Sequence, residues 1–229
     1  VRILEGARLS WPNKFMKLRI SLLTYGALEY TKMFIESLIK NTDLKYELVI
    51  VDDCSPDNTR EFLDNLKGDN INIHYHETNQ GISKTWNDLI KFSSNDIVCI
   101  CNSDILFAPH WDTPLIQALD RFEVVSPYHT DGVLPDDFPL GKNRMGNMLP
   151  VLGCCFMFKK SLMDKIGYFP EELRLWYGDN WLGNKAHCGQ IYDSYVHHFI
   201  SKSANKGSVN DFDMQIIRDR EAYNSLPKI

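Results

Sequence analysis

Acidic side chains follow two apolar segments of the sequence. Asp52 and Asp53 come directly after YELVIV, and Asp104 ends the apolar run DIVCIC through Asn102 and Ser103. A carboxylate held in a cleft can bind Mg²⁺ or Mn²⁺ while the ion bridges two phosphates. The simpler alternative for Asp104 is a cap on the following turn. We therefore take Asp104 as a candidate metal ligand.

Asp52 and Asp53 cannot both face the same side of an extended strand, so one of them is expected to reach a ligand. That carboxylate would accept from a base N–H or a ribose hydroxyl, and the other would order the turn. The alternative is that Asp53 and Asp57 only cap the next helix. With polar residues at the other strand ends, the predicted nucleotide-binding set is Thr24, Tyr25, Asp52, Asp53, Asn79, Lys84, Asn102 and Ser103.

Two adjacent histidines, His197 and His198, lie near the end of a late apolar segment. Neutral imidazole binds divalent metals, so one ring could complete the ligand shell begun by Asp104. Strand alternation allows only one ring to face the site, and we choose His197. The alternative is a half-buried histidine without a ligand. Lys202 could neutralise a leaving diphosphate, although a solvated lysine is the simpler interpretation.

Asp179 lies in the aromatic sequence WYGDNW, residues 176–181. Transfer of a group to a sugar hydroxyl needs a general base, and aromatic rings beside that base can stack on sugar faces. We predict that Asp179 is the base and that Trp176 or Trp181 binds the acceptor. The alternative is that Asp179 is the N-cap of a helix.

Alternating apolar strands and amphipathic helices must position these residues. Strands are predicted at 18–25, 46–53, 71–77 and 96–104, and helices at 29–40, 57–66 and 83–92. This alternation implies a parallel sheet, because β-α units need right-handed crossovers. The carboxyl ends of its strands share one edge, where open α/β sheets bind ligands. We therefore predict an α/β fold with a mostly parallel central sheet and a nucleotide-binding half at 16–108.

The remaining residues, 109–229, are predicted to form the acceptor-binding half. Residues 127–150 contain prolines and glycines without periodicity, which we interpret as a long loop and a possible lid. After it we predict a strand at 151–158, a helix at 160–166, a helix ending near 188 and a strand at 191–200. Residues 1–15 have no periodicity and are interpreted as a leader outside the domain, with a native start at Met16.

Size and charge restrict the function further. A chain of 229 residues suits one α/β domain, and its net charge of −5 offers no broad cationic surface for nucleic acid. No segment approaches the roughly 20 apolar residues of a membrane span. The six cysteines lack the paired spacing of a zinc site or a disulfide framework, so we expect reduced, buried thiols and a cytoplasmic protein.

The order of these motifs resembles the glycosyltransferases of GT-A fold, in particular family 2. TYGALEYTKMFIESL resembles the first strand and helix of that family, ELVIVDDCSPDNT its nucleoside-binding strand end, and NQGISKTWNDLI its next helix. The Asn102-Ser103-Asp104 sequence resembles the D-x-D metal motif, with Asn in place of the first Asp. VHHFISKS resembles the family's late V-x-H motif. Together they cover almost the whole chain after Met16.

The resemblance implies a three-layer GT-A sandwich, a nucleotide-sugar donor, UDP above all, a glycan acceptor, Mn²⁺ or Mg²⁺, and hexosyl or deoxyhexosyl transfer. It supports Asp104 and His197 as metal ligands. In the motif Y-G-E-D-x-D-L, Asp179 occupies the Glu position and Asn180 the Asp position that supplies the family's base. The ends at Met16 and Ile229 also resemble an N-terminal domain of a longer chain, such as one of a large algal virus, which would act in the host cytoplasm.

Two other functions are compatible with parts of this pattern. A non-catalytic sugar-nucleotide or glycan-binding module is one, because Asn102 and Asn180 stand where carboxylates are expected. A phospho-receiver domain is the other, because it also has an Asp-Asp strand end and a later strand-end Asp. A receiver begins at that strand, whereas here a full strand and helix precede it.

Overall fold

The computed structural model describes residues 17–94, 96–134, 145–146, 151–200 and 209–227. The first half alternates strands and helices, in the order β1 (Leu18–Thr24), α1 (Leu28–Asn41), β2 (Tyr46–Asp52), α2 (Thr59–Asp64), β3 (Ile71–Tyr75), α3 (Ile82–Lys91) and β4 (Ile97–Asn102). These four strands are parallel and lie in the order β3-β2-β1-β4. The predicted parallel sheet is confirmed.

The second half extends the same sheet with mixed strand directions. Its elements are β5 (Ile105–Phe107), α4 (Asp112–Ala118), β6 (Val124–Asp131), β7 (Met145–Gly146), β8 (Cys155–Lys159), α5 (Leu162–Ile166), α6 (Gly178–Lys185), β9 (Cys188–His198) and α7 (Val209–Ser225). From β4 the sheet continues as β8-β6-β9-β5, and β7 also pairs with β9. Strands β4 and β8 are antiparallel, whereas β6 and β9 are parallel.

The apolar strands explain why the sheet forms a buried middle layer. Every residue of β1 is buried, and its apolar side chains divide between two hydrophobic clusters. One cluster contains Phe34 and Leu38 of α1, and the other contains Trp86 and Leu89 of α3. A strand covered on both faces is typically apolar, and the polar residues of β1, Arg19, Ser21 and Thr24, are buried as well. The α/β prediction is confirmed by this arrangement.

Several predicted details are wrong. Residues 127–131 belong to β6 and are not part of a loop, because they pair with β9 through the register of Tyr128 with Tyr195. Helices α4 and α7 were not predicted. Met145 and Gly146, also within the predicted loop, form β7 and pair with β9. Residues 135–144 and 147–150 of the proposed lid, the leader, Met16 and Lys202 lie outside the described residues. None of the described helices combines the length and the apolarity that a bilayer crossing requires.

All six cysteines are free thiols. Cys99, Cys101, Cys154 and Cys155 are buried, as expected, whereas Cys54 and Cys188 are only half-buried. Three of the buried sulfurs are close together, with Sγ of Cys101 3.7 Å from that of Cys99 and 3.9 Å from that of Cys155. The contact between Cys101 and Cys155 arises because the pairing of β4 with β8 places these two residues directly opposite each other.

Candidate functional site

A cavity of about 550 Å³ opens where β1, β2 and β4 end. The strand register explains its position, because Thr24 pairs with Asp52 and Leu23 with Asn102, so the polar residues that follow these strands meet at one edge. Both halves of the chain line this strand-end cavity. The predicted site residues among its walls are Tyr25, Asp53, Asn79, Asn102, Ser103, Asp104, Trp176 and Asp179.

Asp53 is held rigidly in the wall. Its Oδ1 accepts a hydrogen bond from the Gln80 backbone at 2.7 Å, and its Oδ2 accepts one from Gly81 at 2.9 Å. Nδ1 of His76 is also 2.7 Å from Asp53 Oδ1, and the other ring nitrogen of His76 is 3.2 Å from Asp88 Oδ2. These partners fix the carboxylate of a residue that is 2% exposed. The strand-end cavity therefore has a preorganised hydrogen-bond acceptor in its wall.

Three residues of the predicted nucleotide-binding set, Thr24, Asp52 and Lys84, are not among the described residues that line the cavity. Thr24 is fully buried. Asp52 accepts hydrogen bonds from the Ser55 backbone at 3.2 Å and from the Ser55 hydroxyl, so it orders the turn after β2. Burial raises the pKa of Asp52, although the Ser55 bonds oppose that rise. Lys84 donates a hydrogen bond to Asp88 at 2.6 Å and is not among the described residues that line the cavity.

Asp104 and His198 form the candidate metal site. Asp104 is 3% exposed, and its Oδ1 lies 3.5 Å from Nε2 of His198. The pairing of β5 with β9 brings them together, because Ile105 lies opposite His198. Nδ1 of His198 lies 3.0 Å from Oδ1 of Asp131. Burial opposes protonation of His198, but the hydrogen bonds and charges of the two carboxylates outweigh it and raise its pKa.

His197 points away from this pair. It is fully buried, with Nδ1 3.3 Å from the Thr130 hydroxyl and Nε2 3.1 Å from the Gly132 carbonyl oxygen. Strand alternation does send the two rings in opposite directions, but His198 is the one beside Asp104. The prediction that His197 faces Asp104 was therefore wrong.

Asp179 lies in the first turn of α6 and lines the same cavity as Asp104 and His198. Burial raises the pKa of Asp179. Hydrogen bonds from backbone N–H groups, first that of Asn180, partly counter this rise. Gly153 packs against it so closely that an added Cβ would lie 3.0 Å from Asp179 Oδ2. The N-cap of α6 is Tyr177, so the capping alternative for Asp179 does not apply.

The two tryptophans predicted to bind the acceptor have different environments. Trp176 lines the cavity. Trp181 is 8% exposed, packs on Phe169 at 5.3 Å between ring centroids, and does not contribute to the cavity wall as described. Trp181 is therefore a core residue, which contradicts its predicted contact with the acceptor.

Several cavity residues were not predicted from the sequence. They include Gly153, Arg174, His129 and Asp131 of β6, and Gln215 of α7. His129 and Asp131 fall in the stretch interpreted as a loop, so strand periodicity there was the missed signal. Arg174 lies two residues before WYGDNW and had no motif of its own. Burial lowers the pKa of His129, against the opposing charge of Asp131.

The chain belongs to glycosyl transferase family 2, whose profile matches residues 20–167, more than half of the chain. The predicted family is therefore confirmed, and the phospho-receiver alternative is removed. An uncharacterized glycosyltransferase of Acanthamoeba polyphaga mimivirus is 29% identical over 138 residues, which cover 53% of this chain and 51% of that protein. Uncharacterized glycosyltransferase YwdF of Bacillus subtilis is 21% identical over 93% of this chain and 87% of its own length.

Solved structures show the same fold, so the predicted GT-A sandwich is confirmed. The structure of S. aureus TarS residues 1–349 with UDP-GlcNAc has a TM-score of 0.65 at 20% identity, covering 93% of this chain and 68% of that one. GalNAc-T7 with UDP, GalNAc and Mn²⁺ has a TM-score of 0.70 at 14% identity, covering 93% and 52%. The chain spans about half the length of the mimivirus relative and about a third of a Nostoc one. An algal-virus origin stays a prediction.

Proposed function

We propose that this chain transfers a sugar from a nucleotide-sugar donor, a UDP-sugar, to a hydroxyl group of a glycan acceptor, with Mn²⁺ or Mg²⁺ as cofactor. The observation that carries the proposal is the strand-end cavity, where Asp53, Asp104, His198 and Asp179 converge from four separate parts of the chain. Family membership and the UDP, UDP-GlcNAc and Mn²⁺ complexes of proteins with this fold support it. The transferred group in the proposal is a hexose or deoxyhexose.

The residues present fit a divalent ion. Asp104 offers a carboxylate oxygen and His198 an imidazole nitrogen 3.5 Å from it, a ligand pair suited to Mn²⁺. Asn102 Oδ1 is buried and accepts no hydrogen bond from the described residues, so an acceptor is left for a ribose hydroxyl or a metal-bound water. When bound by Asp104 and His198, the ion would supply charge stabilisation to the leaving diphosphate.

Asp179 is proposed as the general base. It would take the proton of the acceptor hydroxyl as that oxygen bonds to the anomeric carbon and the bond to the diphosphate oxygen breaks. Its raised pKa suits this role, because a base is most efficient when its pKa approaches the working pH. Asn180, at the family's usual base position, is absent from the cavity wall among the described residues. Trp176 would stack on a sugar ring of the acceptor.

The first experiment is a thermal-shift panel of nucleotide sugars with and without Mn²⁺, because a ligand that binds only the native state raises the melting temperature. A slow donor-hydrolysis assay follows. Asp104→Ala should abolish metal-dependent hydrolysis, whereas Asp120→Ala, an exposed carboxylate whose side chain is 86% accessible, should leave it unchanged. Unchanged hydrolysis in Asp104→Ala would remove Asp104 from the site.

The same assays test the non-catalytic alternative. Tight Mn²⁺-dependent binding of a UDP-sugar with neither hydrolysis nor transfer to any glycan would indicate a binding module. Binding accompanied by slow hydrolysis that Asp104→Ala abolishes would support the transferase.

A further inference from the structure

The C-terminal helix α7 carries a buried carboxylate that binds a stretch of backbone at the cavity. Asp219 is 0% exposed. Its Oδ2 accepts hydrogen bonds from the backbone N–H groups of Leu175 at 2.7 Å and Trp176 at 2.8 Å. Its Oδ1 accepts from the backbone N–H of Arg174 at 3.2 Å and from the side-chain amide of Gln215 at 2.6 Å. One carboxylate thus fixes three consecutive amides.

Those amides lie in the segment 174–177, which contributes Arg174, Leu175 and Trp176 to the cavity wall. The Arg174 guanidinium donates to the Asn79 carbonyl oxygen at 2.9 Å. The Arg174 carbonyl oxygen accepts from the Ile82 backbone at 2.6 Å, at the start of α3. Trp176 lines the cavity, and Asp179 follows three residues later. The position of residues 174–177 therefore affects both the nucleotide-binding edge and the candidate base.

The segment also contains a backbone conformation that needs support from its surroundings. Tyr177 has φ 68°, in the left-handed region that is unfavourable for a non-glycine residue. Helix α7 contacts this residue twice. Nε of Arg220 donates to the Tyr177 hydroxyl at 3.0 Å, and the ring of Tyr223 stacks on that of Tyr177 at 5.2 Å. Strained residues persist only where neighbours hold them, and they are frequent at functional sites.

We propose that Asp219 is a positioning residue for donor binding. It acts through residues 174–177, whose place against Asn79 and Ile82 shapes the nucleotide-binding edge of the cavity. This inference rests on the proposed function. A carboxylate is required because all four partners of Asp219 are donors, and an Asn amide would direct its own N–H groups at one pair of them.

The test is Asp219→Asn beside Asp213→Asn, which makes the same change at an exposed position of the same helix. Calorimetry with a UDP-sugar and Mn²⁺ is expected to show donor binding weakened about tenfold in Asp219→Asn, the effect of losing hydrogen bonds to a charged group. Asp213→Asn should bind as the unaltered chain does. In steady-state assays the donor KM should rise more than kcat falls.

Amide hydrogen exchange gives a readout that does not depend on catalysis. Protection of the Leu175 and Trp176 amides should fall in Asp219→Asn, whereas protection of the β1 amides should stay unchanged. Asp219→Glu, which keeps the charge but displaces it by one methylene, should recover part of the donor affinity. It also serves as the test variant if Asp219→Asn does not fold.

The outcomes are distinguishable. If the unaltered chain and Asp213→Asn bind no UDP-sugar, the proposed function fails, and this inference with it. If both bind while the Asp219 variants bind equally well, the proposed function stands and the positioning role of Asp219 is refuted. A uniform loss of amide protection across the molecule would also refute it, because it would indicate a role in global stability alone.

Discussion

Gly81 and Gly167 have almost the same backbone conformation but different surroundings. Gly81 has φ 89° and ψ 167°, and Gly167 has φ 85° and ψ 176°. A Cβ at position 81 would lie 2.7 Å from the Arg174 carbonyl oxygen, whereas a Cβ at position 167 would meet no heavy atom within 4 Å. Replacing each by alanine therefore separates backbone strain from steric conflict at the strand-end cavity.

The expected magnitudes follow from these contacts. Both alanines incur the backbone strain of this glycine-only region, about 1–3 kcal/mol. Gly81→Ala also forces the Arg174 carbonyl to move, which weakens its 2.6 Å hydrogen bond from Ile82. That bond contributes about 1 kcal/mol, and overpacking of this kind costs about 1–3 kcal/mol. We therefore expect Gly81→Ala to lower the free energy of unfolding by about 2–4 kcal/mol more than Gly167→Ala does.

Urea unfolding measures this difference. With a slope of about 2 kcal/mol per molar, the midpoint of Gly81→Ala should fall about 1–2 M below that of Gly167→Ala. Nucleotide-sugar affinity should also fall in Gly81→Ala alone, since position 81 lines the cavity. Equal midpoints for the two variants would refute the close approach of residue 81 to the Arg174 backbone.

Three further changes test the site. Asp179→Asn should lower kcat by about 10²- to 10⁴-fold, yet raise stability at pH 7. Burial raises the folded-state pKa of Asp179, so its ionisation costs folding free energy, a cost that disappears below the unfolded value of 3.8. His198→Ala should weaken Mn²⁺ binding, followed by electron paramagnetic resonance, far more than His197→Ala. Trp176→Ala should raise the acceptor KM, whereas Trp181→Ala should chiefly lower stability, by about 3–5 kcal/mol.

Opposite results would contradict these assignments. A stability gain in Asp179→Asn that persists at pH 3 would exclude desolvation of the ionised carboxylate as its cause. Equal Mn²⁺ affinity in both histidine variants would exclude His198 as a ligand, and an unchanged acceptor KM in Trp176→Ala would exclude stacking there.

The parallel strands could be predicted because β1, β2 and β4 are mainly apolar and end in polar residues, and β3 alternates apolar with polar residues. Once their order is known, the parallel register brings Asp53, Asn102 and Asp104 to one edge. This part of the site is therefore encoded in local sequence patterns.

The histidine choice could not be made from sequence alone. Alternation shows that His197 and His198 face opposite sides, but which side holds the cavity depends on the pairing of β9 with both β5 and β6. The shift in register between Pro127 and Tyr128 is part of that pairing, and no local sequence pattern predicts this shift. Long-range strand pairing of this kind lies beyond periodicity arguments.

Helix α7 was missed because its place in the fold depends on long-range contacts. Its apolar residues include Met214 and Ile217, which are exposed, so the helix has no clear apolar face to predict. Asp219 resembles any solvated helical carboxylate in the sequence. Only the fold shows that it accepts from the backbone of residues 174–176, some 45 positions earlier.

The buried thiols of Cys99, Cys101 and Cys155 can be used to measure how often the protein opens transiently around them. A water-soluble alkylating reagent cannot reach sulfurs whose residues are 0% exposed, whereas it can reach Cys54 and Cys188 without unfolding. Modification of the buried sulfurs therefore requires a transient opening of the packing around them, and its rate measures how often that occurs. Counting modified cysteines by mass over time, with and without a nucleotide sugar, would reveal whether ligand at the adjoining strand ends suppresses this opening.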